Sequence, residues 1–322
     1  MRIETRRTLT FFPLALALLA WSGNASAGQG ALTQKILPVL STSDAIGKVT
    51  PCGCHTPKGG LARIASVIDS TKIKYGDALV VEAGDFAPER TNQIEEARID
   101  FQFKLLELIG YDAIGIGERE LNFGYAKLKA LAASSKVPLL CANLIDKKTG
   151  QPAFKPYTIV KKGNLKVGVF AVLGPKLELP ADAGEELTVE DPLAAAQKTV
   201  AELRKQCDVV VVLAHVGRVE GEDLAAQVPG MDVVILAHHP GFVAQGRRVN
   251  SAVTVASGEQ IQNMGVTRVM LGGKKVLDLA SESLILMPEV GERSDIARLV
   301  KDFEDGQNEK MKQQQQSNAL PR

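Results

Sequence analysis

The chain has 322 residues, 45% hydrophobic and 5% aromatic, with a formal charge of +1. That length can supply the core of one large α/β domain. Setting aside residues 1–27, with three Arg and one Glu, turns the charge to −1, and so neutral a balance excludes an electrostatic footprint for nucleic acid or for an anionic membrane surface.

Residues 1–27 read as an export signal. Arg2, Arg6 and Arg7 give a positive start, residues 9–21 an apolar run, and Ala25-Ser26-Ala27 an A-x-A cleavage site. The run is short for a bilayer span, with a membrane anchor as the alternative, and Arg6-Arg7 loosely resembles a twin-arginine signal. No second stretch is long and apolar enough for a transmembrane helix. The expectation is a periplasmic or secreted protein without stable membrane insertion.

Residues 35–43 form the first expected strand, whose ILPVL run suits burial on both faces. Pro51, Gly53, Pro57, Gly59 and Gly60 break the next stretch into loop. Helical spacing resumes over residues 61–72, which puts Gly59-Gly60 at a helix N-terminus, as an anion-holding turn or a plain tight turn. A strand over residues 77–83 ends in Gly84-Asp85. A helix over 94–109 stops at Gly110, a natural C-cap. A third strand, 112–116, ends in Gly117-Glu118-Arg119-Glu120. Helix 124–134 and strand 137–141 follow. Residues 157–161 and 165–173 pair around Gly163-Asn164 as a hairpin. After a helix over 191–206, strand 208–214 runs into His215 and strand 231–236 into His238-His239. Segments 247–249, 253–256, 266–271 and 275–280 read as a terminal β-meander. Residues 292–311 are polar and helix-prone, and 312–322, with their glutamine run, are expected to fray or be disordered.

Of the four cysteines, Cys141 and Cys207 fall beside apolar strands and read as inert core thiols. Cys52 and Cys54 sit in the Pro/Gly loop, where burial does not suit them. They are open to three readings: soft-metal ligands, a strained redox-active pair, or unremarkable loop thiols.

Asp85, Glu118, His215 and His238 each lie at the C-terminal end of an expected strand, where open α/β sheets place ligand sites. Carboxylates together with imidazoles are the donors that a divalent ion such as Zn, Mn or Fe needs.

The order of motifs resembles the N-terminal metallophosphatase domain of periplasmic 5′-nucleotidases, within the calcineurin-like metallophosphoesterases. The family's T-N-D-x-H-G is similar to Thr42-Ser43-Asp44-Ala45-Ile46-Gly47. Its G-G-L-A-R stands at Gly59-Gly60-Leu61-Ala62-Arg63 and its G-D at Gly84-Asp85. Its G-N-H-E is similar to Gly117-Glu118-Arg119-Glu120, its P-V-L-x-A-N to the segment from Pro138 to Asn143, and its G-H-S-H to Ala237-His238-His239-Pro240. The resemblance implies a sandwich of two packed mixed β-sheets flanked by helices, in four αββα layers. It implies a domain over residues 28–290, with 291–322 as a polar helix and tail and without the family's aromatic nucleoside-gripping domain.

The resemblance also implies a dimetal site with one half degraded, since Ile46 and Pro240 stand where histidines would ligate. Asp85, Glu118, His215 and His238 would keep the other ion, with Asp44 as an added or outer ligand. Arg119 replaces the catalytic histidine and can steady phosphate but not donate a proton. Three functions follow as expectations: an exported phosphoesterase of the 5′-nucleotidase type with a remodelled, mononuclear site and low or altered activity on a phosphoester small molecule; a thiol redox or soft-metal protein using Cys52 and Cys54; or a non-catalytic binding module for a periplasmic protein partner.

Overall fold

The computed structural model describes residues 34–319 apart from Lys176 and Glu178, so the expected export signal lies outside the described residues. The chain opens with β1 (Gln34–Thr42), α1 (Leu61–Tyr75), β2 (Leu79–Glu82), α2 (Gln93–Ile109), β3 (Ala113–Gly115), α3 (Glu118–Leu121), α4 (Tyr125–Ser134) and β4 (Leu139–Leu140). Two short strands, β5 (Leu144–Asp146) and β6 (Gln151–Pro152), precede the hairpin of β7 (Tyr157–Lys162) and β8 (Leu165–Leu173). Then come α5 (Ala181–Glu186), β9 (Leu187–Val189), α6 (Pro192–Leu203), β10 (Val209–His215), α7 (Arg218–Gln227) and β11 (Val233–Ala237). The last elements are β12 (Arg248–Val249), β13 (Ala252–Ala256), β14 (Asn263–Gly272), β15 (Lys275–Ile285) and α8 (Ser294–Ala319).

Two six-stranded mixed sheets carry the fold, in the orders β15-β14-β1-β2-β3-β4 and β12-β13-β11-β10-β8-β7. Within each, one set of strands is parallel: β1 to β4 in the first, and β8, β10, β11 and β13 in the second. Side chains alternate across a strand, and here both faces are covered. Val209, Val211 and Leu213 of β10 face Val39, Val81 and Ala113 of the other sheet. Val210, Val212 and Ala214 pack under Val200 and Leu203 of α6 and Leu224 of α7. The outer face of the first sheet, with Leu40, Val80 and Ile114, is covered by α1, α2, α4 and α8. The layers are therefore αββα, which explains why these strands read as apolar runs rather than alternating ones. Each large side chain fully buried this way is worth about 1.5–3 kcal/mol.

Helix ends follow local chemistry. The Asn92 carboxamide caps α2 by accepting from the Ile94 and Glu95 amides, and Gly110 closes it at φ +92°. The Gly59-Gly60 pair resolves as a tight turn: the Gly59 N–H donates to the Leu286 carbonyl and the Leu61 N–H to the Val49 carbonyl. A Cβ on Gly60 would meet the Pro51 ring at 2.9 Å.

One expectation is corrected. The terminal segments do not form one meander: β13 lies parallel to β11 in the second sheet, while β14 and β15 form a hairpin alongside β1 in the first. Strand propensity alone carries no sheet assignment, and the turn between β13 and β14 switches sheets. Residues 218–227, left without an expected element, form α7, which buries Gly221, Leu224 and Ala225. At the C-terminus, α8 runs on to Ala319 through the glutamine stretch. Its first half docks on the domain through buried Ile296 and Val300, stacking of Phe303 on Phe101 at 4.0 Å, and a pair between Glu304 and Arg98.

Asn143, just past β4, ties the two sheets together near their C-terminal ends. Its Nδ2 donates to the Leu173 and Glu190 carbonyls, both at 2.8 Å, and its Oδ1 accepts from the Leu173 N–H at 2.9 Å. Replacement by alanine strands the two buried backbone groups of Leu173, each costing about 1–3 kcal/mol, and frees the partly buried Glu190 carbonyl. Asn143→Ala is expected to lower unfolding stability by about 3 kcal/mol or more, read as a shift of the denaturant midpoint.

Candidate metal centre

Five polar side chains sit where parallel strands end, and the two sheets bring those ends together. The loop after β1 lies along the loop after β2: Asp44 N–H donates to Gly84 O, Ile46 N–H to Asp85 O and Gly47 N–H to Phe86 O, all at 2.9 Å. The turns are sharp enough to drive Asp44, Asp85 and His238 into the left-handed region at φ +50°, +58° and +67°. Gly117 leaves the end of β3 where a Cβ would meet the Asp85 amide at 2.7 Å and the His215 ring at 2.8 Å, so only glycine lets these groups approach.

Asp85, Glu118, His215 and His238 converge, each offering one donor atom, and all four atoms lie within 4.8 Å of one another. Glu118 sits between the rings. One carboxylate oxygen is 2.8 Å from His215 Nε2 and the other 3.1 Å from His238 Nδ1. His215 Nε2 is 3.5 Å from Asp85 Oδ1. The far nitrogen of His215, Nδ1, donates to the Ala83 carbonyl at 3.0 Å, which fixes the ring with Nε2 facing the carboxylates.

The charges are those of a cation site. Burial works against a charged ring at His215, yet Asp85 and Glu118 beside it hold its pKa up at about 10. Burial would raise the Glu118 carboxyl, but the bonds from His215 and His238 outweigh that and hold it well below the usual carboxylate range. A pocket that keeps a buried imidazole protonated is one whose field favours positive charge. Two carboxylates and two imidazoles, one of them anchored through its other nitrogen, fit a borderline divalent ion such as Zn, Mn or Fe.

The sequence had assigned no role to Glu120, which holds the floor of the site. It is fully buried; one oxygen accepts from the Asp85 and Gly117 amides at 3.0 and 2.8 Å, the other from Ala87 N–H at 2.8 Å. Its place in the Gly117–Glu120 cluster was the available signal. Arg119 turns onto Asp85, with its N–H on Oδ1 at 3.0 Å and its Nε on Oδ2 at 3.1 Å. Asp44 is buried beside the cluster but outside the four-donor group; its Oδ1 accepts from His239 N–H at 3.1 Å, and its Oδ2 is buried without a hydrogen-bond partner.

Other candidates fall elsewhere. Cys52 and Cys54 are joined as a disulfide in a largely exposed loop and are not among the converging donors. The His239 ring turns to Glu259 at 3.2 Å. Cys141 is buried, and Cys207 is partly so.

An αββα sandwich with carboxylates and imidazoles at the joined strand ends is the architecture of the calcineurin-like metallophosphoesterases. No protein-family model matches the chain. It is 29% identical over 306 residues to a 2′,3′-cyclic-nucleotide 2′-phosphodiesterase/3′-nucleotidase of Yersinia enterocolitica, covering 80% of this chain and 46% of that protein. It is 31% identical over 207 residues to a 5′-nucleotidase of Vibrio parahaemolyticus, covering 60% of this chain and 36% of that one. The chain thus spans less than half the length of these curated relatives. The crystal structure of a 5′-nucleotidase precursor from Thermus thermophilus shares the fold at a TM-score of 0.74 and 21% identity, over 84% of this chain and 59% of that one. The calcineurin-like phosphoesterase YfkN from Bacillus subtilis shares it at 0.73 and 20%, over 87% of this chain and 99% of that one. In sequence the chain is similar to 5′-nucleotidases and cyclic-phosphodiesterase/3′-nucleotidases, and it shares the fold of the calcineurin-like phosphoesterases.

Because Asp85 hangs from Glu120 by its own amide, Glu120→Gln exchanges one accepting oxygen for a donor against buried N–H groups. The expected result is a stability loss of about 1–3 kcal/mol and weaker retention of added Zn²⁺, by about 10–100-fold, read by denaturation and by metal titration.

Proposed function

We propose that this chain is an exported phosphoester hydrolase that holds one divalent ion between Asp85, Glu118, His215 and His238, with remodelled and low activity on a phosphoester small molecule. The observation that supports it best is the Glu118 carboxylate bridging two histidines beside buried Asp85. Asp44 serves as an outer carboxylate. A bound divalent ion supplies Lewis-acid polarisation of a phosphoryl oxygen. The residues of the chain orient it: His215 is locked on Ala83, and Asp85 is held by Glu120 and Arg119. A cleft of about 490 Å³ opens beside Ile46 and Glu89, and its lining balances Lys48, Arg90 and Arg98 against Glu89, Glu95 and Glu304. Among the described residues no helix is long and apolar enough to cross a membrane; export rests on reading residues 1–27 as a removable signal.

Elemental analysis of the purified chain tests the proposal directly. The expected content is about one Zn, Mn or Fe per chain, falling well below that in Glu118→Ala and His238→Ala, with hydrolysis of a generic phosphomonoester or phosphodiester lost in parallel. Metal-free wild type, or variants that keep both metal and activity, would sink it.

A second reading concerns the bonded pair Cys52 and Cys54. Cys54 is exposed, and Cys52 Sγ accepts from the Lys58 N–H at 3.2 Å, a contact that supports negative charge on that sulfur. A dithiol reductant would transfer two electrons and two protons to the bond, giving two thiols here and a disulfide on itself. Alkylation across a dithiol/disulfide buffer series should show both thiols appearing together at one potential, and independent reaction of the two would exclude the pair.

A further inference from the structure

Arg119 makes a contact that positioning alone does not require. Asp85 is fully buried, and its two oxygens look in different directions. Oδ1 faces His215 Nε2 and the four-donor cluster, while Oδ2 is taken by the Arg119 guanidinium through Nε. A second ion beside the first would need that same Oδ2, because Asp85 is the donor that both could share. Its other source of negative charge would be Asp44, whose Oδ2 is buried with no hydrogen-bond partner. The neighbouring positions Ile46 and Pro240 carry no side-chain donor atom at all.

We infer that the Arg119 guanidinium is a built-in second cation: it occupies the charge position next to the metal, satisfies Asp85 Oδ2, and keeps the site at one ion. This rests on the one-metal reading above. A guanidinium suits the task because it stays charged at every working pH and presents a fixed fork of donors. The main-chain N–H of Arg119 grips the other oxygen of the same carboxylate, so residue 119 holds Asp85 from both sides. Beyond that, Nη1 reaches only as far as the exposed Glu89, 3.9 Å away, which leaves the outer edge of the fork for phosphoryl oxygens. The arrangement supplies positive charge on the side of Asp85 away from the histidines, without a second set of ligands.

The test is Mn²⁺ titration of chelator-treated full-length protein, followed by binding stoichiometry and by the electron paramagnetic resonance signal of coupled Mn²⁺ pairs. Wild type should take one ion with an uncoupled signal. Arg119→Ala, and Arg119→Gln as a variant of closer size and hydrogen-bonding capacity, should take a second ion with a coupled signal. Arg119→Lys, which keeps the charge, should stay at one. Adding Asp44→Asn to either neutral variant should return the count to one. Folded neutral variants that stay at one ion, or wild type that itself takes two, would overturn the inference while leaving metal binding intact. A wild-type chain that takes up no ion would overturn the metal reading and this one together.

Discussion

A buried carboxylate must be matched by nearby positive charge or it does not stay ionised. In this chain that constraint falls on the largely enclosed Glu118, which follows β3 of the first sheet and is matched by His215 and His238 at the ends of β10 and β11 of the second. The pairing couples the two halves of the sandwich at their polar edge, as the Val and Leu layers do in the interior. It also sets what the edge can do. Once the carboxylates of Asp85 and Glu118 are held opposite two rings, the common centre attracts a proton or a metal ion, and the elevated His215 pKa registers that pull.

The layers beneath exist to make the edge rigid. Parallel strands end together, so the loops that follow them emerge at one rim. Glu120 and Asn143 spend their hydrogen bonds on backbone groups of those loops rather than on any ligand. Such supporting groups decide whether donors stand within a few tenths of an ångström of a useful geometry. The relatives by sequence are nucleotidases and a cyclic phosphodiesterase.

Much of this was legible in the residues. The ILPVL run of β1 and the VVVVLA run of β10 announce strands buried on both faces, and polar residues placed directly after such runs can only lie at a sheet edge. That is why Asp85, Glu118, His215 and His238 could be grouped before any coordinates. Sheet membership was not legible: β13 and β14 have similar composition, and nothing local says that the chain crosses from one sheet to the other between them. Neither was the partner of a side chain. Arg119 read as a phosphate contact, and only the fold shows that its Nε is committed to Asp85. Cys52 and Cys54 could have been ligands by spacing, yet they close on each other away from the donors.

The left-handed backbone at Asp44, Asp85 and His238 bears on whether the chain is merely a scaffold. Glycine reaches that conformation freely, while Asp and His adopt it under strain, tolerating it better than most other side chains do. A sequence shaped by folding alone would relax these three corners to glycine or asparagine and shed two ionisable groups from the interior and a third from its rim. Holding acids and imidazole at strained corners instead, at a cost of roughly 1–3 kcal/mol each, makes thermostability and ligand capture competing demands on the same three positions.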